Sequence, residues 1–360
     1  MTPPVRTGSR SDSLRSLFRS VLLLNAGPWR WSVGVEAALA IGLPAGTLTL
    51  AGHAAQGLIA SLGGFTVLYF TAVPRSRRAV LLPFVGTGLV LAAALGELAA
   101  PSLPLTLAAL IATTTLAALL AGWSDSGPPG AVMFVVVAGV SGYLASRVAD
   151  PGSIPLLVAL GAACAYAVVA APLVLTRRRE PAGVDVPARW APRRQFDAVT
   201  SRIAARIVIA ASIAALLGAA LGIHRIYWVM VSTVAVLQTG PVQRRVVMRA
   251  AHRALGSVLG IGLFAALAWT RPAGIALVIL LAALQSVAEV VIARHYGLAL
   301  LFITPIPLLI SATNPTMSLA DVAADRLLDT LLGCLVAVTV YWAHERWRPP
   351  ALPPDPSIPQ

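Results

Sequence analysis

The chain has 360 residues, of which 58% are hydrophobic and only 11% charged, with a formal net charge of +13. That balance excludes an ordinary soluble domain, in which about 25% of residues are charged, and places the chain in the membrane class. Nucleic-acid binding is excluded as the meaning of the charge, because the basic residues, all 27 of them Arg, sit between apolar runs and not in a stripe.

Residues 1–30 form a cytoplasmic N-terminal segment. Leu14, Leu17, Phe18, Val21 and Leu22 recur at helical spacing with Arg15 and Arg19 between them, the pattern of an amphipathic helix on an anionic membrane surface. No apolar run followed by a small-residue cleavage site is present there, so no cleaved signal peptide is expected.

A spanning helix needs about 20 mostly apolar residues. Candidate spans of a first membrane unit, 31–175, run near 32–51, 55–73, 79–98, 102–122, 130–147 and 154–175. A linker over 176–202 carries Arg177, Arg178, Arg179, Pro181, Pro187 and Pro192, a mix that cannot cross a bilayer. The second unit, 203–343, offers 203–222, a short 226–240, 250–269, 273–293, 297–313 and 326–343. Residues 344–360 are proline-rich and read as a disordered cytoplasmic tail.

The two units read as one unit written twice. Cys164, Ala167 and Val168 precede Cys334, Ala337 and Val338 by 170 positions, and Gly86, Thr87 and Leu89 precede Gly256, Ser257 and Leu259 by the same offset. Six spans per unit is an even number, so both units enter from one side and are related as parallel repeats. The expected fold is therefore an all-α polytopic membrane protein of about 12 transmembrane helices. Arginine-rich short loops stay in the cytoplasm. Placing the N-terminus there puts only Arg147, Arg225, Arg271 and Arg326 outside, so both termini are expected on the cytoplasmic side of the cell (inner) membrane.

Small residues at four-residue spacing, Gly42 with Gly46, Gly218 with Gly222 and Gly256 with Gly260, read as close helix contacts. Cys164 and Cys334 are too few for a disulfide framework and read as small buried hydrophobes. The five histidines show no metal-ligand spacing, and neither a lysine nor a glycine-rich phosphate loop is present. Nothing in the sequence forms a catalytic set, so no enzyme activity and no cofactor are expected.

What remains is the ionisable residues inside apolar runs, each by default a functional-site hypothesis. Glu36 and Arg206 occupy equivalent places, where they either pair across the pseudo-twofold or lie at the cytoplasmic headgroups, with Arg206 snorkelling and Glu36 hydrated. Glu289, one turn beyond Gln285, is the first choice for a proton-coupling acid, with Arg294 or Arg253 as its ion-pair partner if its role is structural. Asp325 and Asp329 share a helix face, and with Arg326 they read as a further protonatable cluster, an external gate or a helix anchor. Thr304, Pro305, Pro307 and Asn314 mark a broken helix on a translocation path.

Tyr227 and Trp228, then Val236, Leu237 and Gln238, the turn at Arg244 and Arg245, the run from Arg253 to Gly260, and later Arg326, Leu327, Leu328, Asp329, Thr330 and Gly333 resemble the fusaric acid resistance-like (FUSC) membrane family, which includes aromatic acid exporters. The first unit matches faintly, with Pro83 where Arg253 has its counterpart. The resemblance implies an inner-membrane efflux protein driven by the proton gradient, although the long aromatic acid exporters carry a sizeable cytoplasmic domain where this chain has a short linker.

The expected function is thus proton-coupled export of small aromatic or amphipathic organic acids. Glu289, Asp329 and Glu36 are candidate proton sites, and Arg253 and Arg206 candidate anion or ion-pair contacts. The expected partners are the lipid bilayer and the organic acid, and a homo-oligomer is compatible with the pattern. A non-transporting membrane scaffold or envelope-assembly protein is the alternative.

Overall fold

The structure, a computed structural model, describes residues 27–124, 126–145, 152–175, 197–240, 242–314 and 317–346. The expected amphipathic N-terminal helix, most of the linker and nearly all of the tail lie outside the described residues. Within them every regular element is helical. The helices are α1 (Trp31–Leu50), α2 (Ala54–Ala60) continued by a 3-10 helix (Ser61–Leu68), α3 (Arg75–Ala99), α4 (Leu103–Ser124), α5 (Val132–Ala145) and α6 (Ser153–Leu175). They continue as α7 (Ala198–Ala220), α8 (Ile226–Leu237), α9 (Gln243–Trp269), α10 (Gly274–Val291), α11 (Tyr296–Ile303), α12 (Pro305–Ser311) and α13 (Leu319–Arg346).

Among the described residues eight helices are long and apolar enough to cross a membrane: α1, α3, α4, α6, α7, α9, α10 and α13. Four apolar stretches are shorter, Ala54–Leu68, Val132–Ala145, Ile226–Leu237 and Tyr296–Ser311. The short stretches sit inside. In α8 every residue but Trp228 is buried, whereas the long helices turn Leu and Val side chains such as Leu91, Leu116, Leu156 and Leu216 outward. In a bilayer that outward face costs nothing, since lipid tails are as apolar as leucine. Some span hydroxyls are satisfied locally: Thr114 donates to the Leu110 carbonyl and Thr233 to the Val229 carbonyl, each one turn back.

The packing order fixes which ends of the helices meet. Gly34 of α1 lies against Ser286 and Val290 of α10, while Gly46 lies against Ile275 and Val278, so α1 and α10 are antiparallel. Cys334 of α13 reaches the Ala250 carbonyl of α9, and Arg206 of α7 reaches Glu345 at the far end of α13. One end of the bundle therefore collects Arg30, Arg75, Arg78, Arg206, Arg249, Arg294 and Glu345, and the opposite end holds Arg225, Asp325 and the α9–α10 turn. Contacts across the chain are crossed, with α1 on α10, α4 on α7 and α5 on α8.

Several sequence expectations need correction. The run 55–73 is not a regular span: α2 tightens into a 3-10 helix and the chain then runs irregularly to Pro74, with Phe70 at φ +54°. Its glycines explain the fit, because a Cβ on Gly57 would stand 2.7 Å from the Ala45 carbonyl and one on Gly64 2.7 Å from that of Ala40. Helix α8 ends at Leu237, α7 begins at Ala198 inside the expected linker, and α13 begins at Leu319, before the expected span. Gly218 packs on Ile226, but Gly222 has φ +68° and open space around it. It serves the α7–α8 turn and not a helix contact.

A very close crossing joins α6 to the junction of α2 and the 3-10 helix, where a Cβ on Gly161 would collide with the Ala60 carbonyl, while Gly262 of α9 has nothing near it. Overpacking at such a backbone contact costs about 1–3 kcal/mol or more. Gly161→Val is expected to lower the thermal unfolding temperature of the detergent-purified protein, and Gly262→Val to leave it unchanged.

Candidate functional site

Charged side chains gather in three interior groups. The first lies where α1, α3 and α10 meet at the arginine-rich end. Glu36, in the second turn of α1, is buried and accepts from Arg78 Nη1 at 2.6 Å and from Arg75. Arg78 also donates through Nε to the Tyr69 carbonyl at 3.1 Å and through Nη2 to the Val67 carbonyl. Those carbonyls sit where the 3-10 helix ends and regular backbone bonding stops. Beside this, Glu289 of α10 accepts from Gln285 Nε2 at 3.0 Å and stands 3.9 Å from Arg30, which donates to Thr71 Oγ1 at 2.6 Å.

The second group is smaller. Arg206 of α7 is buried, with Nη1 3.5 Å from Glu345 Oε1 and its guanidinium 4.9 Å from the Tyr341 ring centre. The pairing of Glu36 with Arg206 is therefore not made. Each acts with charges of its own half of the chain, because the irregular segment after the 3-10 helix delivers Arg75 and Arg78 to Glu36 first. Glu289 likewise pairs with Arg30 and not with Arg294 or Arg253. Arg294 instead lies 4.4 Å from the Trp29 ring centre.

The third group occupies the interior between α8, α9, α11 and α13. Buried Val246, Ala250, Arg253, Ser257, Gly260 and Phe264 recur every three or four residues along α9, so they form one stripe. Arg253 donates through Nη1 to Tyr296 Oη at 2.8 Å, and Arg249 stacks 3.3 Å from the centre of the same ring. Arg326 of α13 lies 3.8 Å from the Trp228 ring centre, within electrostatic range of Arg253 and Asp329. Such cation–ring contacts are worth about 2 kcal/mol when desolvated. They do not saturate the donors. Arg253 Nε, Arg326 Nε and Nη1, Ser257 Oγ, Ser232 Oγ and Thr304 Oγ1 are buried without a hydrogen-bond partner.

That arrangement has a definite chemistry. Two buried guanidiniums raise the local potential, and each orphaned N–H carries a desolvation penalty of about 1–3 kcal/mol that an acceptor relieves. A carboxylate is the matching acceptor, since a guanidinium presents parallel donors to its two oxygens. The walls are aromatic and close-set: a Cβ on Gly256 would stand 2.7 Å from Leu300, and one on Gly260 2.6 Å from Thr304.

Thr304 packs against Gly260, two turns from Arg253 along α9, and Pro305 opens α12 directly after the break at Thr304. Pro307 continues α12, whereas Asn314 lies beyond it, in the turn toward α13. Asp325 and Asp329 share a face of α13 but sit in its second and third turns, so they do not cap it. The sequence reading missed Trp228, Tyr296 and Ser257 as site residues and took Arg326 as part of a protonatable cluster, an external gate or a helix anchor. A signal was present in the aromatic Tyr227–Trp228 pair and in the four-residue spacing of Arg249, Arg253 and Ser257. Among the described residues no group of His, Cys, Asp and Glu is arranged to hold a metal ion.

Residues 212–340 match the model of the fusaric acid resistance protein-like family. The match covers a little over a third of the chain. The third charged group falls wholly inside the fusaric acid resistance-like region, and Glu36, Arg75, Arg78 and Arg30 fall outside it. An uncharacterized membrane protein of Bacillus subtilis, YvaC, is 32% identical over 93 residues, 26% of this chain and 15% of its own length. An uncharacterized protein of Escherichia coli, YhfK, is 29% identical over 150 residues, 41% of this chain and 21% of its own. The chain thus aligns with about a fifth or less of these curated relatives. No solved structure matches it.

Removing one partner of a buried ion pair leaves an uncompensated charge and costs about 3–5 kcal/mol. Glu36→Ala is therefore expected to lower thermal stability sharply. Glu345→Ala, whose side chain is 31% exposed, is expected to lower it far less in the same unfolding assay.

Proposed function

We propose that the protein is a secondary transporter of the cell (inner) membrane that exports small aromatic or amphipathic organic acids. The observation that carries this reading is the pair of buried guanidiniums, Arg253 and Arg326, which keep orphaned N–H donors beside the Trp228 and Tyr296 rings. In an apolar medium ionisable residues that lack full compensation mark substrate or ion paths. A carboxylate supplies the missing charge and acceptors, and the two rings supply faces for an aromatic or amphipathic body.

The scaffold is proposed to be two parallel six-segment repeats with both termini in the cytoplasm. Its support is the matched order of long and short segments: the second and fifth of each six are the short ones. The crossed contacts of α1 on α10 and α4 on α7 give support as well. Gathering most interior arginines at one end agrees with a cytoplasmic placement of that end. The break between α11 and α12 beside Thr304 puts irregular backbone next to the arginine stripe, where such backbone is tolerated because it is buried in protein.

Glu289 is the proposed proton site. Its only charged neighbour within ion-pair distance among the described residues is Arg30 at the start of α1, so protonation frees Arg30 and loosens the α1–α10 contact.

Replacing Arg253 or Arg326 by Gln removes charge-assisted bonds of about 1.5–3 kcal/mol each. Each substitution is expected to lower the flux of an aromatic carboxylate such as benzoate by about tenfold or more, with normal insertion, when uptake into inside-out vesicles is measured. Unchanged flux in both would remove the reading. Glu289→Gln is expected to leave carboxylate binding intact and to abolish the dependence of flux on an imposed pH gradient.

A further inference from the structure

At the end of the bundle opposite Arg30, the α7–α8 turn and α13 enclose an open groove of about 560 Å³. One wall is apolar: Leu328, Leu331 and Leu335 of α13 are 63%, 44% and 63% exposed and face outward, which in a membrane means toward lipid. The other end is charged on both sides. Asp325 and Asp329 approach from α13, and His224 and Arg225 from the start of α8. Arg225 is buried and held in place by Tyr143 Oη at 3.3 Å and Met317 Sδ at 3.4 Å. The turn opposite is left open by Gly222, which has no atom near its Cβ position.

From this geometry we infer that the groove binds a phospholipid whose headgroup carries both a phosphate and a primary amine. Arg225 and His224 take the phosphate, Asp325 and Asp329 take the ammonium, and one acyl chain lies along the α13 leucines. The charge pattern selects this occupant. An anionic headgroup without an amine meets two carboxylates and gains nothing from them. A quaternary amine has no N–H to donate, so it loses the charge-assisted bonds that a primary ammonium makes. The depth of the polar end fits as well, because charged side chains near helix ends meet the headgroup layer of a bilayer. The volume holds a headgroup and part of one chain, as pockets of a few hundred Å³ do for ligands of that size.

The inference depends on the protein's lying in a membrane and not on transport, so it can fail separately from the reading above. The full chain, purified in mild detergent, is offered dioleoyl phosphatidylethanolamine, phosphatidylcholine or phosphatidylglycerol at equal concentration, and bound lipid is counted by native mass spectrometry. Retention of phosphatidylethanolamine about tenfold above the other two is expected. Asp325→Asn and Leu331→Trp, both at exposed positions, should each reduce that retention to the level of the other lipids without lowering the unfolding temperature. Arg253→Gln should leave it unchanged. Equal retention of all three lipids, preference for phosphatidylglycerol, retention that survives both groove variants, or a dimer that closes the groove without lipid would each overturn the assignment.

Discussion

Arg78 joins three parts of the chain through one planar guanidinium. Its donors reach Glu36 on α1 and the Val67 and Tyr69 carbonyls at the end of the 3-10 helix, while its own backbone belongs to α3. In hydrocarbon every backbone carbonyl that leaves a helix must find a donor, and loss of that donor costs several kcal/mol. The broken second segment can exist inside the bundle only because Arg78 meets its exposed carbonyls. Glu36 in turn makes a buried Arg78 tolerable. The position of α1, and through it of α10, Glu289 and Arg30, follows from that contact.

The other half of the chain uses the same residue type to a different end. Arg326 has the Trp228 ring face and Arg253 the Tyr296 hydroxyl where Arg78 has carbonyls and a carboxylate, so part of their N–H groups is left unused. A guanidinium tied by both hydrogen bonds and an ion pair is a structural fixture, and one held by a ring face or a single phenol keeps N–H groups unpaired. This difference separates the halves more clearly than their hydrophobic pattern does. The incompletely bonded arginines both lie within the fusaric acid resistance-like residues.

The apolar runs, the proline break beside Thr304 and the shared face of Asp325 and Asp329 were legible in the sequence, because each depends on local composition or spacing. The shortness of the second segment was not. Glycines at 57, 63 and 64 are compatible with a straight span, and only the approach of α1 and α6 turns them into a break. Ion-pair partners were misread for a related reason. Glu36 meets residues 39 and 42 positions away through an irregular connection, and Glu289 meets Arg30 across nearly the whole chain. Helices that are apolar on every side carry no moment to show which face turns inward, so Arg326 looked like a surface anchor until α13 was placed against α8 and α9.

The shortness of α8 has an electrical consequence. Twelve residues rise about 18 Å, well short of the roughly 30 Å hydrocarbon layer, so wherever water reaches both ends of the helix the insulating layer there is thinner than the surrounding bilayer. A membrane voltage falls across the insulating part, which concentrates the field on the septum that holds Trp228, Arg253 and Arg326. Across such a septum one elementary charge is worth about 2.3 kcal/mol per 100 mV, over little more than half the usual distance.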